Sequence, residues 1–185
     1  LSYPNDSLKN ALISDISYHF YSKNDSIKFR YWNSYSFKVS EERENISGIA
    51  EANWDLGNFF YRQNNIDSSY YHYNLAYEEY LEARDEIKAG RMLLNMAILQ
   101  EYIKDYVGSE NTTFKALDLF EESTQAEKYI YRANNNLGII YNGLENYPLA
   151  LEYHRKALRN VEVLKQPVKS AQSLNNIGVV YQNML

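Results

Sequence analysis

The sequence predicts an all-α fold, an α-α superhelix of about four and a half helical hairpins. Apolar residues recur at helical spacing, and only seven Gly and three Pro interrupt the chain of 185 residues. A small residue that directly follows an apolar one also recurs along the chain, and we call this small residue the marker. The five pairs are Ile16-Ser17, Leu56-Gly57, Met96-Ala97, Leu137-Gly138 and Ile177-Gly178. Successive markers are 40, 40, 41 and 40 residues apart, which predicts a repeat of two helices.

The stretch 134–160 has the most regular form of the repeat. Its first helix places Leu137, Ile140 and Tyr141 around Gly138 on one face. Its second helix carries a row of small, large and small residues: Ala150, His154 and Ala157. A glycine inside a helix costs roughly 1 kcal/mol against alanine, so it indicates close packing. We therefore expect the three marker glycines to be buried where another helix approaches.

The whole chain, 1–185, is predicted to be a single array with nine antiparallel helices in a right-handed superhelix. After a lead-in over 1–8, the repeats cover 9–41, 46–85, 87–128 and 130–165, with a half repeat at 168–185. The last segment is a first helix without its second helix, which leaves an apolar face uncovered. We expect the natural protein to continue beyond Leu185; the alternative is an end-to-end dimer.

The third repeat departs from this pattern. Its second-helix row should begin at Ser109, but Ala116, Phe120 and Ser123 fit the row better. The shift from position 109 to 116 predicts an insertion of seven residues between Tyr102 and Thr113.

Composition excludes several classes of function. The net charge is −5 and no basic stripe occurs, which argues against nucleic-acid binding. Cysteine is absent, and the three histidines lie far apart in sequence. No phosphate-binding loop, zinc-protease motif or nucleophile elbow is present. We expect no enzymatic activity, no cofactor and no metal in this chain. We also expect no membrane contact, because its longest apolar runs are shorter than a membrane-spanning helix.

An acidic or amide residue lies two positions before every marker. The five members, which we call the Asx ladder, are Asp15, Asp55, Asn95, Asn136 and Asn176. Asparagine is a poor helix-interior residue, because its side chain competes for backbone hydrogen bonds. Two interpretations stay open: the ladder binds an extended peptide on a concave surface, or it bonds neighbouring helices and locks the stack.

Further candidates surround the ladder at helical spacing. They are Trp54, Asn58, Arg91, Arg132, Asn135 and Asn175. A large aromatic side chain, arginines and amides together suit an extended peptide, because amides pair with backbone N–H and C=O groups of any sequence.

The Leu-Gly-x-x-Tyr run at 137–141, followed by Ala150 and by a large residue four positions later, resembles the tetratricopeptide repeat (TPR). The Asn-Asn-Leu-Gly motif and the period near 40 resemble those of the subfamily that contains kinesin light chain and bacterial peptide-sensing regulators. This resemblance implies a TPR solenoid in which an asparagine ladder on the concave face holds the backbone of an extended peptide. Asn95, Asn136 and Asn176 match that ladder, whereas the aspartates at 15 and 55 depart from it.

The segment Lys38–Tyr61 also resembles a bacterial group in which a periplasmic TPR array precedes a membrane helix and a histidine kinase or helix-turn-helix regulator. This resemblance implies a non-enzymatic sensory or scaffolding module whose partner is a protein or peptide. It favours a periplasmic location for a sensor region and a cytoplasmic one otherwise. The alternative is a structural module that acts through end-to-end oligomerisation, as a homodimer through the open C-terminal helix.

Overall fold

The protein is all-α in the residues that its structure, a computed structural model, describes. These are the backbone of 6–121 and 124–185, with the side chains from residue 12 onward except those of 124 and 163. Within these ranges there are nine α-helices and no strand. The helices are α1 (Asp6–Ser22), α2 (Ser26–Glu41), α3 (Ile46–Arg62), α4 (Ile66–Glu82), α5 (Glu86–Tyr102), α6 (Tyr106–Phe120), α7 (Glu127–Gly143), α8 (Tyr147–Val163) and α9 (Pro167–Asn183). A 3-10 turn over Thr124–Ala126 precedes α7.

Consecutive helices pack in pairs, α1 with α2, α3 with α4, α5 with α6 and α7 with α8. The all-α prediction is confirmed. Helix α1 begins at Asp6 rather than at residue 9, and residues 1–5 of the expected lead-in lie outside the described ranges. The chain forms two compact units, Leu1–Asp85 and Glu86–Leu185, which we call unit 1 and unit 2 and describe separately.

Similar turns connect the helices and explain the 40-residue period. Within the described residues, seven of the connections contain a residue with positive φ: Asn24, Glu44, Asn64, Arg84, Lys104, Glu145 and Lys165. The first five of these recur every 20 residues. In most turns the next residue is an Asp or Asn whose side chain accepts a hydrogen bond from the backbone of the new helix, as at Asp25, Asn45, Asn65, Asp105 and Asn146. Such N-caps favour the start of the next helix, and most of the turns have three residues.

In unit 1, the marker Gly57 is buried beneath the ring of Tyr73, as the glycine prediction requires. The Ser69 hydroxyl, one turn earlier on α4, donates to the carbonyl oxygen of Gly57 at 2.9 Å. The first repeat differs because Asn33 fills the position of Tyr73. Its side-chain amide is buried and donates a hydrogen bond to the carbonyl oxygen of Ala52 at 3.0 Å. This bond allows a polar residue to occupy a buried position that holds a large ring in the second repeat.

In unit 2, Gly138 is buried against the ring of His154, which is 2% exposed. A Cβ at position 138 would lie 2.5 Å from His154 Cε1 and Nδ1. The flanking residues Leu137 and Ile140 are fully buried. The packing expected of the fourth repeat is therefore confirmed.

The insertion expected in the third repeat is wrong. Helix α6 begins at Tyr106 after a turn of ordinary length, and Ser109 Oγ donates to the carbonyl oxygen of Ala97 at 2.7 Å. Ser109 thus takes the role that Ser69 has in the second repeat, with the buried Thr113 and Ala116 completing the row. Thr113 is too small to be recognised as the large member, which misplaced the row; Ser123 of the expected row lies outside the described residues.

The burial expected for Gly178 is also wrong. Gly178 is exposed, and a Cβ there would meet nothing within 4 Å. Helix α9 packs against α8 and α7, and no described residue covers its side at Gly178. The marker pattern is present in α9, but the second helix that would bury it is not among the described residues.

Candidate peptide-binding surface

The first helices of the repeats contact one another within each unit: α1 with α3 in unit 1, and α5 with α7 and α7 with α9 in unit 2. In unit 2 the neighbouring first helices are joined by side-chain hydrogen bonds. We call the six residues that form them the amide row: Asn95, Arg132, Asn135, Asn142, Asn176 and Asn183.

Three bonds hold the amide row together. Arg132 Nη2 donates to Asn95 Oδ1 at 3.1 Å and joins α7 to α5. Asn176 Nδ2 donates to Asn135 Oδ1 at 2.8 Å, and Asn183 Nδ2 donates to Asn142 Oδ1 at 3.1 Å; both join α9 to α7. Two members of the Asx ladder, at positions 95 and 176, therefore bond to a neighbouring first helix.

The amide row keeps hydrogen-bonding capacity beyond these bonds. An asparagine side chain has two N–H donors and an oxygen that accepts two bonds. Asn135 and Asn142 use only their oxygens in the row, which leaves their NH₂ groups to donate elsewhere. Asn176 and Asn183 use a donor, which leaves their carbonyl oxygens to accept. All four side chains are partly or fully exposed, so these donors and acceptors are accessible from solvent.

Asn136 does not belong to this surface, which corrects the expectation that its side chain is partly open to solvent. It is 5% exposed, and its Nδ2 donates to Ser109 Oγ at 3.2 Å and to Thr113 Oγ1 at 2.9 Å. Both acceptors belong to α6, the second helix of the preceding repeat. At this position the ladder bonds neighbouring helices, as the locking interpretation requires.

In unit 1 the candidates occupy α1 and α3 with different exposures. Asp15 is exposed, whereas Trp54 and Asp55 are partly buried. Asn58 is partly buried and accepts a hydrogen bond from Tyr73 Oη at 2.8 Å, so part of its capacity serves the core.

A contact between Arg62 and Tyr21 joins α3 to α1. Arg62 Nη1 donates to the carbonyl oxygen of Tyr21 at 2.8 Å, and the guanidinium lies 4.4 Å from the centroid of the Tyr21 ring. Burial raises the pKa of the Tyr21 hydroxyl above its usual range, and Arg62 opposes that rise.

The remaining candidates lie on the first helices of unit 2. Arg91 is partly buried on α5 and Asn175 is exposed on α9. Glu101, near the end of α5, is partly buried, and desolvation raises the pKa of its carboxyl. The surface around the amide row therefore carries donors, acceptors and charges of both signs.

Sequence reasoning missed Asn183, which pairs with Asn142. Asn183 lies five residues after its marker, and the equivalent position in the fourth repeat is Gly143, so no periodic signal exists there. It also missed the hydrogen bond that Tyr141 Oη donates to the Glu110 carboxylate between α7 and α6. Burial and this carboxylate raise the pKa of Tyr141 above its usual range, so the phenol stays protonated as the donor.

The described residues contain neither a metal-binding cluster nor a membrane-spanning helix. No group of three or more His, Asp or Glu side chains there is placed to hold a metal ion. None of the described helices is both long enough and apolar enough to cross a membrane.

Comparisons with known proteins bear on the fold. No family model matches the chain, and no curated protein matches it. Among the solved structures that match, the crystal structure of BtubC (BKLC) from P. vanneervenii is similar with a TM-score of 0.67. The match covers 98% of this chain and 85% of that one at 18% sequence identity. At this identity the similarity shows the fold alone, and the chain is a helical-repeat protein.

Proposed function

We propose that this protein is a non-enzymatic protein- or peptide-binding module of the TPR type, and that unit 2 binds an extended peptide along the amide row. The observation that carries the proposal is a pair of hydrogen bonds between side-chain amides, Asn176–Asn135 and Asn183–Asn142. These bonds leave alternating donors and acceptors on neighbouring helices. An extended peptide presents backbone N–H and C=O groups that pair with such amides regardless of its sequence.

The expected affinity comes from several weak bonds together. Each amide–backbone hydrogen bond contributes about 0.5–1.5 kcal/mol net, so the loss of two of them weakens binding about tenfold.

Peptide display against the whole chain tests the proposal. Peptides selected on the parent protein should bind the double variant Asn135→Ala/Asn176→Ala about tenfold more weakly by fluorescence anisotropy. The matched control is Asn111→Ala, an exposed asparagine on α6 away from the row, which should bind like the parent. N-methylation of the peptide backbone should also weaken binding. Equal affinity of the parent and the double variant would refute the proposed surface.

The proposal extends to a sensory or scaffolding role in a bacterial signalling protein, which rests on the TPR resemblance of the repeats. The test is the reading frame downstream of Leu185. A membrane helix followed by a histidine kinase or a helix-turn-helix domain would support the role, and a stop codon directly after residue 185 would count against it.

A second candidate function is assembly through α9. On this helix Leu174 is 57% exposed and Tyr181 is 47% exposed, on either side of the uncovered Gly178. A second copy that packs on this face would produce a dimer. Light scattering across concentration separates the two functions, because a monomer at every concentration contradicts assembly. The variant Leu174→Glu should abolish any dimer that uses this face.

A further inference from the structure

Unit 1 contains a groove that shares no residue with the Asx ladder or with the other peptide-binding candidates. It lies between α2 and α4, with Asn53 and Leu56 of α3 between them, and its volume is about 560 Å³. Small-ligand sites occupy roughly 300–1,000 Å³, so the groove is large enough for a ligand.

One part of the groove is apolar. Its walls include Phe37 of α2, Leu56 of α3, and Tyr71 and Leu75 of α4. Tyr71 is 60% exposed, whereas the other three side chains are partly buried. An aliphatic chain in contact with these side chains would remove apolar surface from water. The aromatic rings also attract cations that lie over their faces.

A carboxylate held by hydrogen bonds lines the groove. Asn53 is 3% exposed, and its Nδ2 donates to both carboxylate oxygens of Glu79 at 2.9 and 3.0 Å. Asn53 Oδ1 lies 3.1 Å from His72 Nδ1, which holds the amide in place from the other side. Glu79 is therefore oriented by a buried amide rather than left to rotate in solvent.

This carboxylate has an amide as its partner but no cation among the described residues. Desolvation raises the pKa of the Glu79 carboxyl; the hydrogen bond from Asn53 opposes this rise, and the neighbouring Glu78 and Glu82 add to it. Burial lowers the pKa of His72, so its ring is neutral near pH 7 and supplies no positive charge. A cation bound beside Glu79 would offset the cost of keeping its charge partly out of water.

Arg30 of α2 is the cationic side chain that lines the groove, within the part of the chain that the structure describes. No ion pair joins Arg30 to Glu79, whose carboxylate oxygens accept hydrogen bonds from Asn53. Glu79 therefore has no cationic partner among the described residues.

We propose that this groove binds a positively charged ammonium group on an aliphatic stem, with the ammonium paired to Glu79 and the stem lying along Phe37, Leu56 and Leu75. A lysine side chain of a peptide and a free alkylamine share this chemistry. The site goes beyond the proposed function, because it lies in unit 1 and uses other helices.

Titration of the whole ¹⁵N-labelled chain with Nα-acetyl-lysine N-methylamide tests the site. We expect the NMR signals of the Asn53 side-chain amide to shift as the probe is added and to stop shifting at saturation. The norleucine analogue, which lacks only the ammonium, should bind at least about tenfold more weakly. Butylamine distinguishes the source: equal affinity points to a free amine, whereas preference for the capped lysine points to a peptide. Both results support the site.

Glu79→Gln should weaken binding of the lysine probe about tenfold, because the amide keeps an oxygen for Asn53 but loses the charge. Glu78→Gln is the matched control. Glu78 is exposed and accepts a hydrogen bond from Asn74, so its loss should leave the affinity within about twofold of the parent. The ¹⁵N NMR spectrum of each variant, compared with that of the parent, verifies its fold. Equal binding of the lysine and norleucine probes, or unchanged binding by Glu79→Gln, would overturn the proposal; neither result depends on the amide row.

Discussion

His154 should make the stability of unit 2 depend on pH in a way that a single substitution removes. The side chain is 2% exposed and packs on Gly138, and its Nδ1 has no hydrogen-bond partner among the described residues. Burial without a compensating charge lowers the pKa of the imidazole from 6.5 to about 4. The folded unit therefore holds His154 neutral at pH values where the unfolded chain protonates it.

The sign and size follow from proton linkage. Because the unfolded state binds the extra proton between pH 6.5 and about 4, stability falls as the pH falls through this window. The pKa shift of His154 from 6.5 to about 4 lowers the free energy of unfolding by about 3 kcal/mol once the pH is below this window. About 2 kcal/mol of this is lost by pH 5. Above pH 7 the group contributes no pH dependence.

The assay is urea denaturation of the parent and His154→Phe at pH 7.5, 6, 5 and 4.5. Phenylalanine fills the same position without a titrating group, much as Tyr73 covers Gly57 in unit 1. Other carboxylates titrate in both proteins, so the difference between their unfolding free energies isolates His154. This difference should shift by about 2 kcal/mol in favour of the variant between pH 7.5 and 5. A difference that stays constant over this range would refute the buried neutral histidine.

Three further predictions concern stability at pH 7. Asn136→Ala should cost about 1–3 kcal/mol in urea denaturation, because it removes the donor to two buried hydroxyl groups; a neutral result would mean that the side chain is not sealed. Gly138→Ala should destabilise by about 1–3 kcal/mol through overpacking, whereas Gly178→Ala should stabilise by about 0.5–1 kcal/mol as an exposed helix substitution; effects of equal sign would contradict the packing. Lys104→Gly should raise the melting temperature through a gain of up to about 1 kcal/mol, because φ is 63° there; a lower melting temperature would contradict this reasoning.

The repeat could be predicted from the sequence because it depends on local signals that recur. Most turns combine a residue with positive φ and an Asp or Asn N-cap, so the helices are spaced nearly evenly. The marker and the small residue opposite it also recur, as in the bonds from Ser69 to Gly57 and from Ser109 to Ala97. These features fix the helix bounds before any long-range contact is considered.

The third repeat was misread because one position changed in size. The large member of the row is Tyr73 in the second repeat and His154 in the fourth, but it is Thr113 in the third. A search for a large residue there moves the whole row to Ala116. The structure shows why the small residue is tolerated: the amide of Asn136 reaches Thr113 Oγ1 from the next repeat and satisfies the hydroxyl. That contact joins residues 23 positions apart and leaves no periodic trace.

The three consecutive asparagines 134, 135 and 136 show how far a shared residue type can mislead. Successive residues on a helix point about 100° apart, so each amide meets a different helix. Asn134 donates to Asn160 of α8 at 3.0 Å, Asn135 accepts from Asn176 of α9, and Asn136 donates into α6. The sequence assigned the last two to one surface because both match the ladder pattern or its flank. Of the three, only Asn135 is partly exposed and keeps its NH₂ group for a further bond, so the three amides do not share one role. Asn136 serves the stack, and Asn135 serves both the stack and, by our proposal, the ligand.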